Sequence, residues 1–276
     1  MKKLLWLLAA PLIFSSCKKD SDSNPAPAPA SSACFITEER DSVGNTLANS
    51  YEYDASRRVS KLYRYTGGLK SGYSTFTYSG TAITRQEFRM DNSSKGSSVA
   101  TLNSSGYVSL NIGISSDSID NEPVTTKDTS NFTYNSSGQL SGYSIKAWSR
   151  NAAGDVKSQF TQTLTNEYTS GRVSKSTNSL NVGGANPYTL TFTEVFTYDP
   201  ASPSVKYNPL LGFNAESGEF FGKISSDKLP SKIETTSDFG TSIQTITATV
   251  DAKGNPTKIR VAGIDVTTSL YTYNCP

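Results

Sequence analysis

The chain has 276 residues, with 26 Lys and Arg against 24 Asp and Glu and no histidine. The lack of histidine excludes His-based catalytic triads and most zinc sites, and the near-balanced charge without a long basic stripe does not support a nucleic-acid partner. Hydrophobic residues make up only 35%, but 15 Tyr and 12 Phe supply large side chains that favour strands, which is typical of sheets with one hydrated face.

Residues 1–16 are predicted to be a signal peptide. Two lysines precede the apolar run 4–14, and two serines precede Cys17. The apolar run has eleven residues, fewer than the ~20 that a membrane-spanning helix needs. The junction resembles the lipobox of bacterial lipoproteins, with Phe14 where leucine is commoner. The resemblance implies cleavage before Cys17 and lipidation of its thiol.

Residues 17–33 are predicted to be a tether between the lipid and the folded domain. Their Pro-Ala run favours extended polyproline geometry. The Lys-Lys-Asp run 18–20 resembles the export signals of Bacteroidota surface lipoproteins. Cleavage removes two lysines and no acid, which leaves 24 basic and 24 acidic side chains. We expect a lipid-anchored protein of the outer membrane, with periplasmic and surface orientations both left open.

Cys34 and Cys275 stand at the two ends of the predicted domain, 34–276. In an oxidising compartment they are expected to form a disulfide, with two free thiols as the alternative. The bridge would close a loop of 241 residues, worth up to about 5 kcal/mol in the chain-entropy model.

Seven segments repeat an aromatic or β-rich strand, a turn rich in Asp, Asn, Ser or Gly, and a second strand. Their spacing varies from 24 to 52 residues, so each unit is predicted to be a hairpin with a return loop of variable length. The central positions of these units are Tyr53, Tyr78, Leu102, Tyr134, Tyr168, Tyr198 and Val250.

The longest predicted strand is 188–198, where aromatic and aliphatic residues alternate with threonines. The alternation places Glu194 on the aromatic face. Three interpretations stay open for this carboxylate: it faces a hydrated lumen, it pairs with a basic residue, or it has a function in binding.

Segment 200–232 interrupts the repeats with apolar residues that must be buried somewhere. It is predicted to be a cap or plug with a short helical turn that covers one end of the sheet, with a ligand-binding lid as the alternative. Its candidate binding residues are Leu211, Phe213, Phe220 and Phe221.

Trp148 is the single tryptophan after the leader, and it is either a core residue or a platform for stacking on sugars. Ser42 and Ser118 each follow an aspartate and precede an aliphatic residue. This pattern resembles the O-glycosylation motif of Bacteroidota proteins, so both serines are predicted acceptors.

The repeats loosely resemble the YD repeats of bacterial Rhs-type shells. Tyr53-Asp54 starts one copy that lacks the usual glycine, and Tyr168 starts another that keeps Gly171. Together with the lipobox, the end cysteines and the DKLPSKIE stretch at 227–234, the chain resembles a group of uncharacterised Bacteroidota lipoproteins, domains of unknown function with a porin-like meander.

The predicted fold is all-β: an antiparallel hairpin meander of about 14–16 strands, curled into a barrel or a strongly bent sheet with a short capping segment. A lipid-facing barrel is disfavoured because the outward positions are rich in Ser and Thr. We expect a non-catalytic binding or adhesion module, for glycan or another envelope component. The alternative is a structural or assembly lipoprotein that contacts a partner protein through 200–232. No enzymatic activity, cofactor or metal is expected.

Overall fold

The computed structural model describes residues 34–184, 187–205, 228–263 and 266–275. Within these ranges the chain forms sixteen strands and no helix, which confirms the predicted all-β meander. The strands are β1 (Phe35–Asp41), β2 (Thr46–Tyr53), β3 (Val59–Thr66), β4 (Leu69–Ser79), β5 (Ala82–Arg89), β6 (Ser94–Leu102), β7 (Val108–Ile119), β8 (Glu122–Tyr134), β9 (Leu140–Asn151), β10 (Val156–Thr169), β11 (Arg172–Gly183), β12 (Tyr188–Thr197), β13 (Lys232–Ser237), β14 (Gly240–Val250), β15 (Pro256–Ala262) and β16 (Val266–Asn274).

The sheet closes into a barrel. Each strand pairs antiparallel with its neighbours in the chain, and β1 pairs with β16 from Phe35↔Asn274 to Asp41↔Ser269. The predicted disulfide between Cys34 and Cys275 lies directly beyond the first of these pairs. Closure leaves no edge strand open to pairing with another chain. In the part of the chain that the structure describes, no helix has the length and apolarity that crossing a membrane requires.

The barrel has two different ends. We call one the floor end, which holds Cys34, Cys275, the described ends of the β12–β13 connection and the turns that follow β2, β4, β6, β8, β10 and β14. We call the other the rim end, which holds the turns that follow the odd-numbered strands. All seven central positions of the sequence repeats lie at or beside the floor end.

Four floor-end turns share one hydrogen-bond pattern. In the turn after β8, Oδ1 of Asn135 accepts from the backbone N–H of Ser137 and Gln139, at 3.0 and 2.9 Å, and Gly138 has a positive φ of 78°. Asn or Asp bonds its own backbone two to four residues on in this way, which stabilises a tight loop. The same backbone bonds to an Asx oxygen recur at Asp54, Asn103 and Asp251.

Five tyrosines at the floor end, four of them central positions of the repeats, fasten neighbouring strands together. Each points into the barrel, and its hydroxyl donates to a backbone carbonyl at the start of the preceding strand. The donor–acceptor pairs are Tyr53 to Ile36 at 2.6 Å, Tyr78 to Val59 at 2.9 Å, Tyr134 to Val108 at 2.6 Å, Tyr168 to Leu140 at 2.8 Å and Tyr273 to Pro256 at 2.7 Å. Burial raises the pKa of Tyr134 and raises that of Tyr168 to about 12, so both hydroxyls stay protonated donors at neutral pH.

The outer wall is polar along its longest strand. On β10 the exposed, outward positions are Lys157, Gln159, Thr161, Thr163, Thr165, Glu167 and Thr169. A barrel in lipid needs an outward apolar band about 25 Å tall, and β10 from Lys157 onward carries no part of one. Exposed aliphatic side chains do occur on the outward face of β6 and β7, at Val99, Ile112 and Ile114.

The floor end is filled by apolar side chains. Leu62, Val108 and Ile259 are at most 2% exposed, and each belongs to an apolar cluster on the inner face of neighbouring strands. Val205 and Leu229, at the two described ends of the β12–β13 connection, are buried in one of these clusters. The described ends of segment 200–232 therefore reach the floor through these two side chains. The predicted helical turn, and with it Leu211, Phe213, Phe220 and Phe221, lies outside the described residues.

Inward-facing glycines allow strands to approach closely where the sheet curves. A Cβ on Gly96 would lie 2.6 Å from the carbonyl oxygen of Ile114, and one on Gly72 would lie 2.8 Å from that of Phe88. Because backbone atoms cannot move aside cheaply, only glycine fits these positions, as is common at the bends of closed sheets.

The disulfide is expected to contribute strongly to stability because it closes 241 residues of chain. Replacing both Cys34 and Cys275 with serine should lower the free energy of unfolding by up to about 5 kcal/mol. Urea unfolding followed by the fluorescence of Trp148 measures this difference. A reductant should lower the urea midpoint of the native protein and leave that of the double variant unchanged. Equal midpoints for the oxidised and serine proteins would contradict the prediction.

The tyrosine bonds give a second prediction. Tyr134→Phe removes the hydroxyl that donates to Val108 and should lower the free energy of unfolding by about 0.5–1.5 kcal/mol. Tyr188→Phe, at a half-exposed rim position, is the matched control and should change the free energy of unfolding by less than about 0.5 kcal/mol. Equal effects of the two substitutions would show that the floor-end hydroxyl is not a fastening bond.

Candidate binding surfaces

The lumen above the apolar floor carries a cluster of charged and polar side chains. Arg64 Nη2 and Arg85 Nε each donate to Oγ of the fully buried Ser74 at 3.2 Å, and Arg85 Nη2 pairs with Glu87 Oε1 at 2.9 Å. The side chains of Arg85 and Glu87 face inward yet remain 28% and 26% exposed, so water reaches them inside the barrel. With the floor packed by apolar residues, the described barrel has the shape of a cup that opens at the rim.

Asp128 extends this charged cluster to β8. Its side chain lies over Gly113 on the neighbouring strand, where a Cβ in place of the glycine hydrogen would collide with the carboxyl group. Burial raises the pKa of Asp128, and the negative charge of Glu87 raises it further. The glycine at 113 thus makes room for a carboxyl group that the lumen disfavours in its ionised form.

Glu194 lies on the inner face of β12, as its place in the alternation predicts. It is paired in register with Ser176 and Thr235, between the inward-facing Phe192 and Phe196. Burial raises its pKa, and among the described residues no basic side chain forms an ion pair with it. The structure therefore favours the first of the three interpretations, a carboxyl group facing the lumen.

Trp148 lies on the outer wall and not in the core. Its neighbours along β9, Ala147 and Ser149, are buried on the inner face, so the intervening tryptophan points outward. In register it stands between Lys127 on β8 and Gln159 on β10. This position, on the middle strand of three long paired strands, leaves the indole partly exposed on the outer wall.

Three exposed cations surround this indole. Lys127 is its cross-strand partner, and Lys146 and Arg150 lie two residues before and after it on the same face of β9. The Nη1 of Arg150 donates to the carbonyl of Gly154 at 2.6 Å. Among the described residues, no carboxylate forms an ion pair with any of the three. We call Lys127, Lys146, Trp148, Arg150 and Gln159 the Trp148 face.

A second aromatic group lies on the outer wall of β3 to β5. Tyr63, Tyr73 and Phe88 are cross-strand neighbours, with ring centroids 6.1 and 4.9 Å apart, and the second pair is stacked at 18°. Lys61 and Lys70 place their Nζ atoms 4.6 and 4.0 Å from the Tyr63 ring. These rings pack against one another and under lysines, and all three are partly buried.

The predicted site residues do not form one site. Trp148 faces outward on β9 and Glu194 faces inward on β12, so no single small ligand contacts both. Ser42 and Ser118 are exposed near the rim, where their modification stays a prediction. Sequence reasoning missed the cations beside Trp148: the alternation in KAWSR marks Lys146 and Arg150, but Lys127 is brought there only by the β8–β9 register.

The raised pKa of Glu194 predicts a pH-dependent stability difference. Above its raised pKa the carboxyl group is ionised in the folded chain and lowers the free energy of unfolding. This loss of stability disappears as the pH falls below about 4.3, the pKa of a glutamate in an unfolded chain. Glu194→Gln keeps the shape without the charge, so it should raise the Tm at pH 7 and have little effect near pH 3.5, with each kcal/mol worth about 2–4 °C.

Differential scanning calorimetry at the two pH values measures this difference. Glu52→Gln, at an exposed outward position on β2, is the control and should give no comparable rise at pH 7. A Tm gain for Glu194→Gln that does not depend on pH would contradict the electrostatic explanation.

Comparison with known proteins adds a structural likeness. No protein-family model matches the chain, and no curated protein matches it. Among solved structures, the chain is similar to a porin-like protein from Bacteroides uniformis, with 16% sequence identity, a TM-score of 0.49, and coverage of 82% of this chain and 89% of that one. At this level of similarity, the function has to be inferred from the residues of the chain itself.

Proposed function

We propose that this barrel is a lipid-anchored, non-catalytic binding module of the cell envelope that holds a glycan on the Trp148 face. The observation that carries the proposal is the outward indole of Trp148, the single tryptophan after the leader, set in a polar wall. A flat aromatic ring offers apolar surface to the face of a sugar, and its N–H supplies a hydrogen-bond donor. Gln159, which is exposed beside the indole, adds an amide that both donates and accepts.

The wall around Trp148 supports this role because it is already ordered. β8, β9 and β10 have 13, 12 and 14 residues and are paired along most of their lengths. A side chain held on such a scaffold loses little conformational entropy when a ligand binds. The filled floor favours binding at a surface over conduction through the barrel.

The predicted anchor fits an outward-facing module. Cys34, where the tether 17–33 joins the fold, lies at the floor end. Lipidation of Cys17 would therefore direct the floor end toward the membrane. A tether in polyproline geometry would reach up to about 50 Å, at ~3.1 Å per residue. The rim and outer wall would then be presented to envelope glycans.

The assembly alternative depends on segment 200–232. Its described ends, including Val205 and Leu229, are buried in the apolar floor of the same chain, which reduces the apolar surface left for a partner protein. We therefore retain this alternative as the second candidate, with the glycan module as the first.

Affinity electrophoresis of the mature chain in neutral detergent tests the first candidate, with a panel of polysaccharides cast into the gels. We expect retardation by at least one glycan. Trp148→Ala should weaken this binding by about tenfold or more, as loss of a central aromatic contact typically does. Tyr73→Ala, which removes a ring from the other aromatic row, is the matched control and should bind as the native protein does.

Two outcomes would count against the proposal. Uniform migration of the folded protein in every gel would overturn glycan binding for the panel and direct the search to partner proteins of segment 200–232. Retardation that Trp148→Ala leaves intact and Tyr73→Ala abolishes would move the site to the aromatic row on β3 to β5.

A further inference from the structure

The Trp148 face carries positive charge that the surrounding wall does not neutralise. Lys127, Lys146 and Arg150 are all exposed, and the outward positions that flank them in register are Ile114, Thr125, Thr129, Thr161 and Val156. None of these is acidic. A cluster of like charges without counter-charges produces a local positive potential that attracts anions.

Three carboxylates near this face have other partners or point away from it. Asp155, in the turn beside Arg150, accepts a hydrogen bond from Nδ2 of Asn151 at 3.0 Å. Asp128 follows Lys127 directly, but it points into the lumen on the opposite side of the sheet. Glu122, near the rim, is paired with Lys157 at 2.7 Å and accepts a hydrogen bond from Asn151 at 2.7 Å. The positive charge of the Trp148 face thus remains available to a ligand.

We infer that the glycan held by this face is anionic, with carboxylate or sulfate groups along its chain; this inference rests on the proposed function. Lys146 and Arg150 lie four residues apart, about 13 Å along β9, with the indole midway between them. Lys127 stands across from the indole, about 5 Å away on the adjacent strand. A glycan that runs along β9 and stacks on Trp148 therefore meets a cation on either side of the stacked sugar and a third beside it.

An anionic polysaccharide fits this face better than an anionic membrane or a nucleic acid does. A membrane-binding surface presents several large apolar side chains for insertion, whereas the Trp148 face has one ring among threonines and cations, with the exposed aliphatic side chains of Ile114 and Val156 only at its edges. A nucleic-acid site needs a longer basic track than three side chains within about 13 Å. A single ring flanked by a few charges matches the repeat of an acidic sugar chain.

The test measures the binding of the mature chain to polygalacturonate and to neutral dextran, at low and moderate ionic strength. We expect polygalacturonate to bind more tightly, and salt to weaken its binding. Lys127→Gln, Lys146→Gln and Arg150→Gln should each weaken it roughly two- to fivefold. Lys258 is an exposed outward lysine on β15, and Lys258→Gln is the matched control, which should leave the binding of polygalacturonate unchanged. Trp148→Ala should weaken binding at both ionic strengths, since stacking is not screened by salt.

The outcomes separate this inference from the proposed function. If dextran binds as tightly as polygalacturonate, independently of salt and dependent on Trp148, the inference that the glycan is anionic is overturned while glycan binding itself stands. If the protein binds neither polymer and no member of the wider polysaccharide panel, both the proposed function and this inference are overturned. An equal loss with Lys258→Gln, or binding to phosphatidylserine vesicles that depends on Lys127, would show a general attraction to polyanions and overturn the inference.

Discussion

The pairing of β1 with β16 is the constraint on which the rest of the barrel depends. A meander of sixteen strands that remained open would expose two edges and leave the inner face of its end strands without neighbours. Closure joins the apolar clusters of the first and last strands, since Tyr271 on β16 contacts both of them. The disulfide between Cys34 and Cys275 sits at the end of this seam, where separation of the strands would begin.

Once the barrel is closed, alternation along each strand decides what its two faces can do. The inner face is apolar at the floor, where the repeat tyrosines bond neighbouring strands, and polar higher up, around Ser74 and Arg85. The outer face is hydrated. Along β10 this polarity is the reverse of that of a barrel in lipid, where the apolar band lies outside. Ligands are thus expected at the hydrated outer wall or in the cup, and not along a continuous channel.

Most of the fold could be predicted because its signals are local. Alternation in segments such as 132–134 marks strands, and the Asx-x-x-Gly pattern at Asn135 marks a turn with a physical cause. The copy at Asp54 lacks glycine, yet Arg57 adopts the same left-handed backbone with a φ of 62°. The surroundings of Trp148 depend on register across β8 to β10, and the convergence of Arg64 and Arg85 on Ser74 depends on register across β3 to β5. Neither is readable from one strand alone.

The position of Trp148 follows from the same alternation that builds the barrel. Ala147 and Ser149 face inward beside Asp128 and Thr126, so the indole between them lies on the outer face. The indole is only partly buried there, so it forgoes part of the stabilisation that full burial gives, about 1.5–3 kcal/mol for a large apolar side chain. A ligand that covers the ring recovers part of that free energy. The exposed cations on either side then favour a ligand that also carries negative charge.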